Sequence, residues 1–151
     1  MTDSILPITL DPALAAIAPA FARQGDAGLD LSSTEKVLIP ARDHRLVGTG
    51  IRIALPDHHA GLVMSRSGLA AKSGIFVLNS PGLVDSGYRG ELKVNIANFS
   101  DVDYLINVGD RIAQLVIQKF ETPELYVVSN EEFDALGETE RGANGYGSTG
   151  L

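Results

Sequence analysis

The chain has 151 residues, with 12 basic and 19 acidic side chains and a formal net charge of −7. That length suits one domain with a sizeable core, and the charge argues against electrostatic binding to a nucleic-acid backbone, which needs a basic surface. A small anion held by a few well-placed groups remains compatible with it. The absence of cysteine excludes disulfides, thiol catalysis and zinc–thiolate sites. Asp3 and Asp11 interrupt the first 25 residues, and no stretch reaches the roughly 20 apolar residues of a membrane span. A cytoplasmic protein without a membrane partner is the expectation. The charge is uneven: residues 1–100 hold nine basic and nine acidic groups, whereas 101–151 hold three and ten.

In chain order, residues 12–18 (PALAAIA) are expected to form one or two helical turns, and 26–31 (DAGLDL) a turn leading into a strand. Short segments rich in β-branched residues then recur between turn signals: 37–40, 46–55, 61–64, 75–78, 91–99, 104–106, 110–120 and 124–129. Within 91–97, Leu92, Val94 and Ile96 alternate with Lys93 and Asn95, the period of a half-buried strand. Prolines 40, 56, 81 and 123 sit near segment ends, where a missing N–H costs least. Residues 67–73 (SGLAAKS) predict a short helix with Ser67 as its cap, and 131–136 another short turn. The pattern predicts an all-β sandwich or barrel over residues 1–136. Residues 137–151, with five glycines and few apolar side chains, are expected to form a separate flexible arm.

Five segments could carry chemistry. In DAGLDL, Asp30 could orient a metal-bound water, although a plain turn is the stronger reading of that segment alone. In MSRSGL (64–69), a strand runs into a helix start, where free N–H groups favour an anion. Arg66 adds a planar fork of donors, Ser67 a hydroxyl, and Gly68 permits close backbone approach. An ordinary capped helix with a surface arginine explains that segment equally well. In 79–91 (NSPGLVDSGYRGE), Leu83 and Val84 suggest a strand between two turns. Asp85 could act there as a general base on a water, and Tyr88 could stack on a ring, but a solvated turn is the favoured reading of this segment alone. In 109–116 (GDRIAQLV), Gln114 lies in an apolar run and its amide needs a partner if buried. In 141–150 (RGANGYGSTG), Arg141, Ser148 and Thr149 are phosphate-type donors and Tyr146 a possible stacking ring. The three histidines show no metal-ligand spacing with carboxylates, and no P-loop is present.

Taken in order, DAGLDL, SRSGLA, GLVDSGYRGE, GDRIAQLVI and RGANGYGSTG closely resemble the five motifs of the trimeric deoxyuridine triphosphatase (dUTPase) family. The resemblance runs from residue 26 to 150. It implies a jelly-roll-like β-barrel or sandwich subunit with one short helix, a homotrimer with active sites at subunit interfaces, and hydrolysis of dUTP to dUMP and pyrophosphate with Mg2+. By the same resemblance, Asp85 activates the water that attacks the α-phosphorus. Asn79 and Gly82 belong to the uracil pocket, Tyr88 stacks on deoxyribose, and Tyr146 stacks on the base where the family usually has Phe. Arg66, Ser67, Gly68, Gln114, Lys93, Arg141, Ser148 and Thr149 bind phosphate. Asp30 meets the magnesium through water, the metal itself riding on the triphosphate. Ser65 stands where Pro is common. Two rival readings are a dCTP deaminase of the same superfamily, for which Glu91 is the acid nearest the third motif after Asp85, and a non-enzymatic nucleotide-binding protein on the same fold.

Overall fold

The computed structural model describes residues 5–143. The chain divides into two compact units, one ending at Glu121 and the other beginning at Thr122. Among the described residues the first unit comprises β1 (Ile8–Leu10), β2 (Ala20–Phe21), β3 (Leu29–Ser32), β4 (Val37–Ile39), β5 (His44–Gly48), β6 (Ile51–Ile53) and β7 (His59–Met64), then α1 (Ser67–Ser73). It continues with β8 (Ile75–Val77), β9 (Gly82–Val84), β10 (Lys93–Asn98), β11 (Tyr104–Ile106) and β12 (Arg111–Lys119). These pair into four sheets: β1-β6, β5-β10-β8, β11-β4, and a five-stranded sheet ordered β2-β3-β12-β7-β9.

The mostly β class follows from the alternation read in the sequence. Val94 and Ile96 of β10 are buried while Lys93 is exposed. Ile51 and Ile53 flank the exposed Arg52 in the same way. Leu31, Ile39, Val47, Ile51, Ile75, Ile96, Ile106 and Leu115, from seven strands besides β3, form one continuous core with no residual exposure beyond about 1%. Each such side chain removes apolar area from water, a gain of roughly 1.5–3 kcal/mol apiece.

Several expectations are corrected. None of the four sheets closes on itself, so no barrel forms among the described residues. Among the described residues there are two short helices rather than one. The segment 46–55 is two strands, because the chain turns at Thr49–Gly50, where Gly50 takes a φ of +66° that disfavours a side chain. Residues 12–18 make only a turn at 12–15, since Pro12 and Pro19 bracket too few residues for a stable helix. Strands β1 and β2 were not anticipated, being three and two residues long.

In the second unit, Ser129 caps α2 (Asn130–Asp134) through a reciprocal pair with Glu132, the side chain of each accepting from the backbone N–H of the other. The strand expected at 124–129 is not formed. Its residues find no hydrogen-bonded neighbour strand, and Leu125, Tyr126 and Val127 are 89%, 83% and 92% exposed. Among the described residues no helix is long and apolar enough to cross a membrane.

Candidate active site

The five-stranded sheet gathers four of the five motif segments. β3 carries the first and β12 the fourth. β7 leads into the second, and β9 carries the third. β12 is the central strand, and Gln114 on it pairs with Asp30 of β3 on one side and Met64 of β7 on the other. Its side chain packs under Gly28, where a Cβ would stand 3.2 Å from that of Gln114. Residues 30, 64 and 114, far apart in sequence, thus share one row across the sheet.

At the end of β7 the chain turns into α1. Arg66, not Ser67, is the N-cap, and it makes no side-chain capping bond. Ser67 is the first helical residue, so its hydroxyl is not used as the expected cap. A Cβ on Gly68 would meet nothing within 4 Å; internal packing therefore does not demand glycine there. The Arg66 side chain is fixed instead by Asp30 and Arg111. Its Nε lies 3.3 Å from Asp30 Oδ1, and its Nη1 donates to the Arg111 carbonyl at 2.8 Å. Arg111 Nη1 donates to Asp30 Oδ2 at 2.9 Å. The Arg66–Asp30 contact is an ion pair whose N–H direction makes no hydrogen bond, so the solvent-shielded Oδ1 keeps an unused lone pair.

Asp85 follows β9 and begins a turn closed by the Tyr88 N–H on its own carbonyl. Its exposed carboxylate lines a cavity of about 560 Å3 with Tyr88, Leu83, Leu46, Glu91 and Lys93. Arg89 ties the turn by donating to the carbonyls of Ser86 and Tyr88. Tyr88 is pinned on two sides: its hydroxyl donates to the Glu91 carbonyl at 2.8 Å, and a Cβ on Gly90 would sit 2.6 Å from its Cζ. Gly90→Ala is therefore expected to turn the Tyr88 ring out of its position, raising KM at least about fivefold with little change in melting temperature. Steady-state kinetics beside a thermal melt check this; an unchanged KM would show that Gly90 does not hold the ring.

A second cavity of about 80 Å3 shares Val63, Leu83, Val84 and Lys93 with the first and adds Asn79, Gly82 and Asn95. The sequence reading missed Asn95, whose Oδ1 is buried without a hydrogen-bond partner. The available signal was its place two residues after Lys93, on the same face of β10. Glu91, the residue a deaminase would need free, is occupied. Its Oε1 accepts the N–H groups of Thr49 and Gly50 at 3.2 and 2.9 Å, and its Oε2 lies 3.5 Å from Lys93 Nζ.

These groups fall into two clusters within one chain. In the β7–β9 ladder Val63 pairs with Gly82 and Gly61 with Val84, so Asp85 lies level with Ala60. Arg66 is six residues further along the chain, beyond the end of β7 and at the start of α1. Asn79 and Ser80 lie nearer Arg66, the Ser80 hydroxyl accepting from the Ser65 N–H at 3.4 Å. Ser65 itself accepts from the Val77 N–H at 2.9 Å, so the serine at that position ties the loop to β8. Arg141 lies in the second unit, and Tyr146, Ser148 and Thr149 lie outside the described residues.

An exposed carboxylate beside a pinned aromatic ring, with an arginine and a serine at the start of α1, gathers on one mostly β unit groups that hydrolysis of a phosphoanhydride could use. The dUTPase family profile matches residues 15–150. The deoxyuridine 5'-triphosphate nucleotidohydrolase of Mycobacterium marinum is 46% identical over 99% of this chain and 97% of its own length. That of Rhodococcus erythropolis is 52% identical over 93% of this chain and 82% of its own. Among solved structures, a Staphylococcus bacteriophage 80alpha dUTPase with dUpNHpp superposes with a TM-score of 0.88 at 30% identity, covering 99% of this chain and all of that one. A dUTPase variant from phage phi11 of S. aureus, in which a structural Mg(II) ion is coordinated, gives 0.78 at 30% identity over 86% of this chain and all of that one. The chain belongs to the dUTPase family of hydrolases.

Proposed function

We propose that this chain hydrolyses dUTP to dUMP and pyrophosphate, with Asp85 as the general base. The observation that carries this reading is the exposed Asp85 carboxylate, beside the pinned Tyr88 ring on one cavity wall. The carboxylate takes a proton from a water, whose oxygen attacks the α-phosphorus. The bond to the oxygen bridging the α- and β-phosphorus atoms breaks, and pyrophosphate leaves. Tyr88 packs on the deoxyribose and excludes a 2′-hydroxyl, a discrimination by clash. Asn79 and Gly82 read the base. Arg66, Ser67, Gly68 and Gln114 hold phosphate oxygens, with Lys93, Arg141, Ser148 and Thr149 as further donors, and Tyr146 stacks on uracil.

Magnesium would arrive on the triphosphate and supply charge neutralisation. The donor set fits that arrangement. No group of three His, Asp or Glu able to cage a metal occurs among the described residues, and Asp30, its carboxylate set between Arg66 and Arg111, would meet the metal only through water. The arm 137–151 closes over bound nucleotide and excludes bulk water.

The active unit is a homotrimer with sites at subunit interfaces. One feature supports it: Leu125, Tyr126 and Val127 form an exposed apolar run that a partner would cover. The enzyme acts in the cytoplasm, limits uracil incorporation into DNA, and supplies dUMP for thymidylate synthesis. Pyrophosphate release measured across dUTP, dTTP, dCTP and UTP tests the assignment. Turnover of dUTP at least about a hundredfold above the others is expected. Ammonia release from dCTP, or comparable turnover of UTP, would overturn it.

A further inference from the structure

We propose that Arg111 is a positioning residue, which acts through Asp30 to hold the Arg66 guanidinium where it meets the polyphosphate. The proposal rests on the reading of Arg66 as a phosphate-binding residue. Arg66 has a long, entropically loose side chain at the start of a seven-residue helix. Without fixation it would sample many rotamers, and each would have to be frozen on binding. Instead its Nη1 donates a hydrogen bond to the Arg111 carbonyl, and its Nε lies 3.3 Å from Asp30 Oδ1 as an ion pair. Its Nη2 makes no hydrogen bond among the described residues.

The anchor needs an anchor of its own. A carboxylate held by one guanidinium can still pivot. Asp30, with a side chain only 11% exposed, is held at both oxygens, with Arg66 at Oδ1 and Arg111 at Oδ2. Two arginines pulling on opposite oxygens fix the plane of the carboxylate and hence the attitude of Arg66. Two arginines against one aspartate leave one positive charge for an anion.

The backbone is shaped for this contact. The β12–β3 register shifts between Arg111 and Ala113. In an unbroken ladder Arg111 would share the face of Ala113 and Leu115, both wholly buried. The extra residue, Ile112, lets Ile112 and Ala113 both be buried and puts Arg111 opposite Ser32. A bulge that re-aims one side chain in this way is a device for directing it. Arg111 is itself 53% exposed. An exposed ion pair contributes little stability, so packing does not account for its placement.

The test is a double-mutant cycle in the full-length protein. Arg111→Ala, Arg111→Lys, Arg66→Ala and the double alanine variant are compared for kcat/KM with dUTP and for binding of dUpNHpp and dUMP. We expect Arg111→Ala to lose about ten- to a hundredfold in kcat/KM and in dUpNHpp affinity, with dUMP affinity within twofold. Arg111→Lys should recover part of the loss, and it also serves if the alanine variant does not fold. In the Arg66→Ala background, removing Arg111 should cost less than twofold. Equal losses in both backgrounds, or a parallel loss of dUMP binding, would show a direct or merely structural role and overturn the proposal, as would an unaffected Arg111→Ala. If the wild-type chain releases no pyrophosphate from dUTP, or Arg66→Ala is silent, it is the underlying reading of the site that fails.

Discussion

Asp85→Asn is expected to lower dUTP turnover by about a hundred- to ten-thousandfold, the range a general base contributes, while dUpNHpp still binds. Asparagine is nearly isosteric and can still orient a water, but it cannot accept the proton. The turn around it should survive, because it is closed by backbone and Arg89 contacts: the Tyr88 N–H on the Asp85 carbonyl, and Arg89 on the carbonyls of Ser86 and Tyr88. The effect should therefore fall on kcat. Pyrophosphate release and titration with dUpNHpp separate the two quantities. Near-normal turnover would remove Asp85 as the base, and lost binding with normal residual chemistry would recast it as a binding group.

Ending the chain at Glu140 is the second large effect. It removes Arg141, Tyr146, Ser148 and Thr149 together. Turnover should fall by about two orders of magnitude or more, in line with losing several donors to a developing phosphate charge. The buried core runs from Leu31 to Leu115, so the melting temperature should move by no more than a few degrees. With the proposed closure of residues 137–151 over the nucleotide, a triphosphate should protect that segment from proteolysis better than dUMP does. A truncated chain that turns over at the full rate would refute the closing role.

Much of the first unit was legible because period-two alternation depends only on neighbouring residues. Leu92, Val94 and Ile96 identify β10 without knowledge of what pairs with it. The same rule misled at 124–129. Leu125, Tyr126, Val127 and Val128 have strand composition, but a strand exists only when a second one satisfies its hydrogen bonds, and among the described residues none does. β1 and β2 escaped for the opposite reason: two or three residues carry no period, and only their partners β6 and β3 define them. At the site, the five segments were visible as segments, but their pairing was not. Arg111 reads in GDRIAQ as a charge at the mouth of a strand, and its partner Asp30 is 81 residues away. Asp30 stood out as a carboxylate, but its two guanidinium neighbours, Arg66 and Arg111, could not be read from its own segment. Ser67 looked like a cap because serine so often is one, whereas the helix begins one residue earlier than that assignment requires.

The place of β12 at the middle of the five-stranded sheet has a consequence for synthesis. It is the last strand in the chain, yet β3 and β7 on either side of it pair with β2 and β9 and not with each other. As the chain leaves the ribosome, β5, β8 and β10 can meet before β12 exists, but β3 and β7 have no common partner until residues 111–119 emerge. Closing such long-range pairings is the slow part of folding a β protein. The row of Asp30, Gln114 and Met64 therefore comes together last, and a nascent chain arrested before β12 would hold the polar residues of the first three motifs without the strand that aligns them.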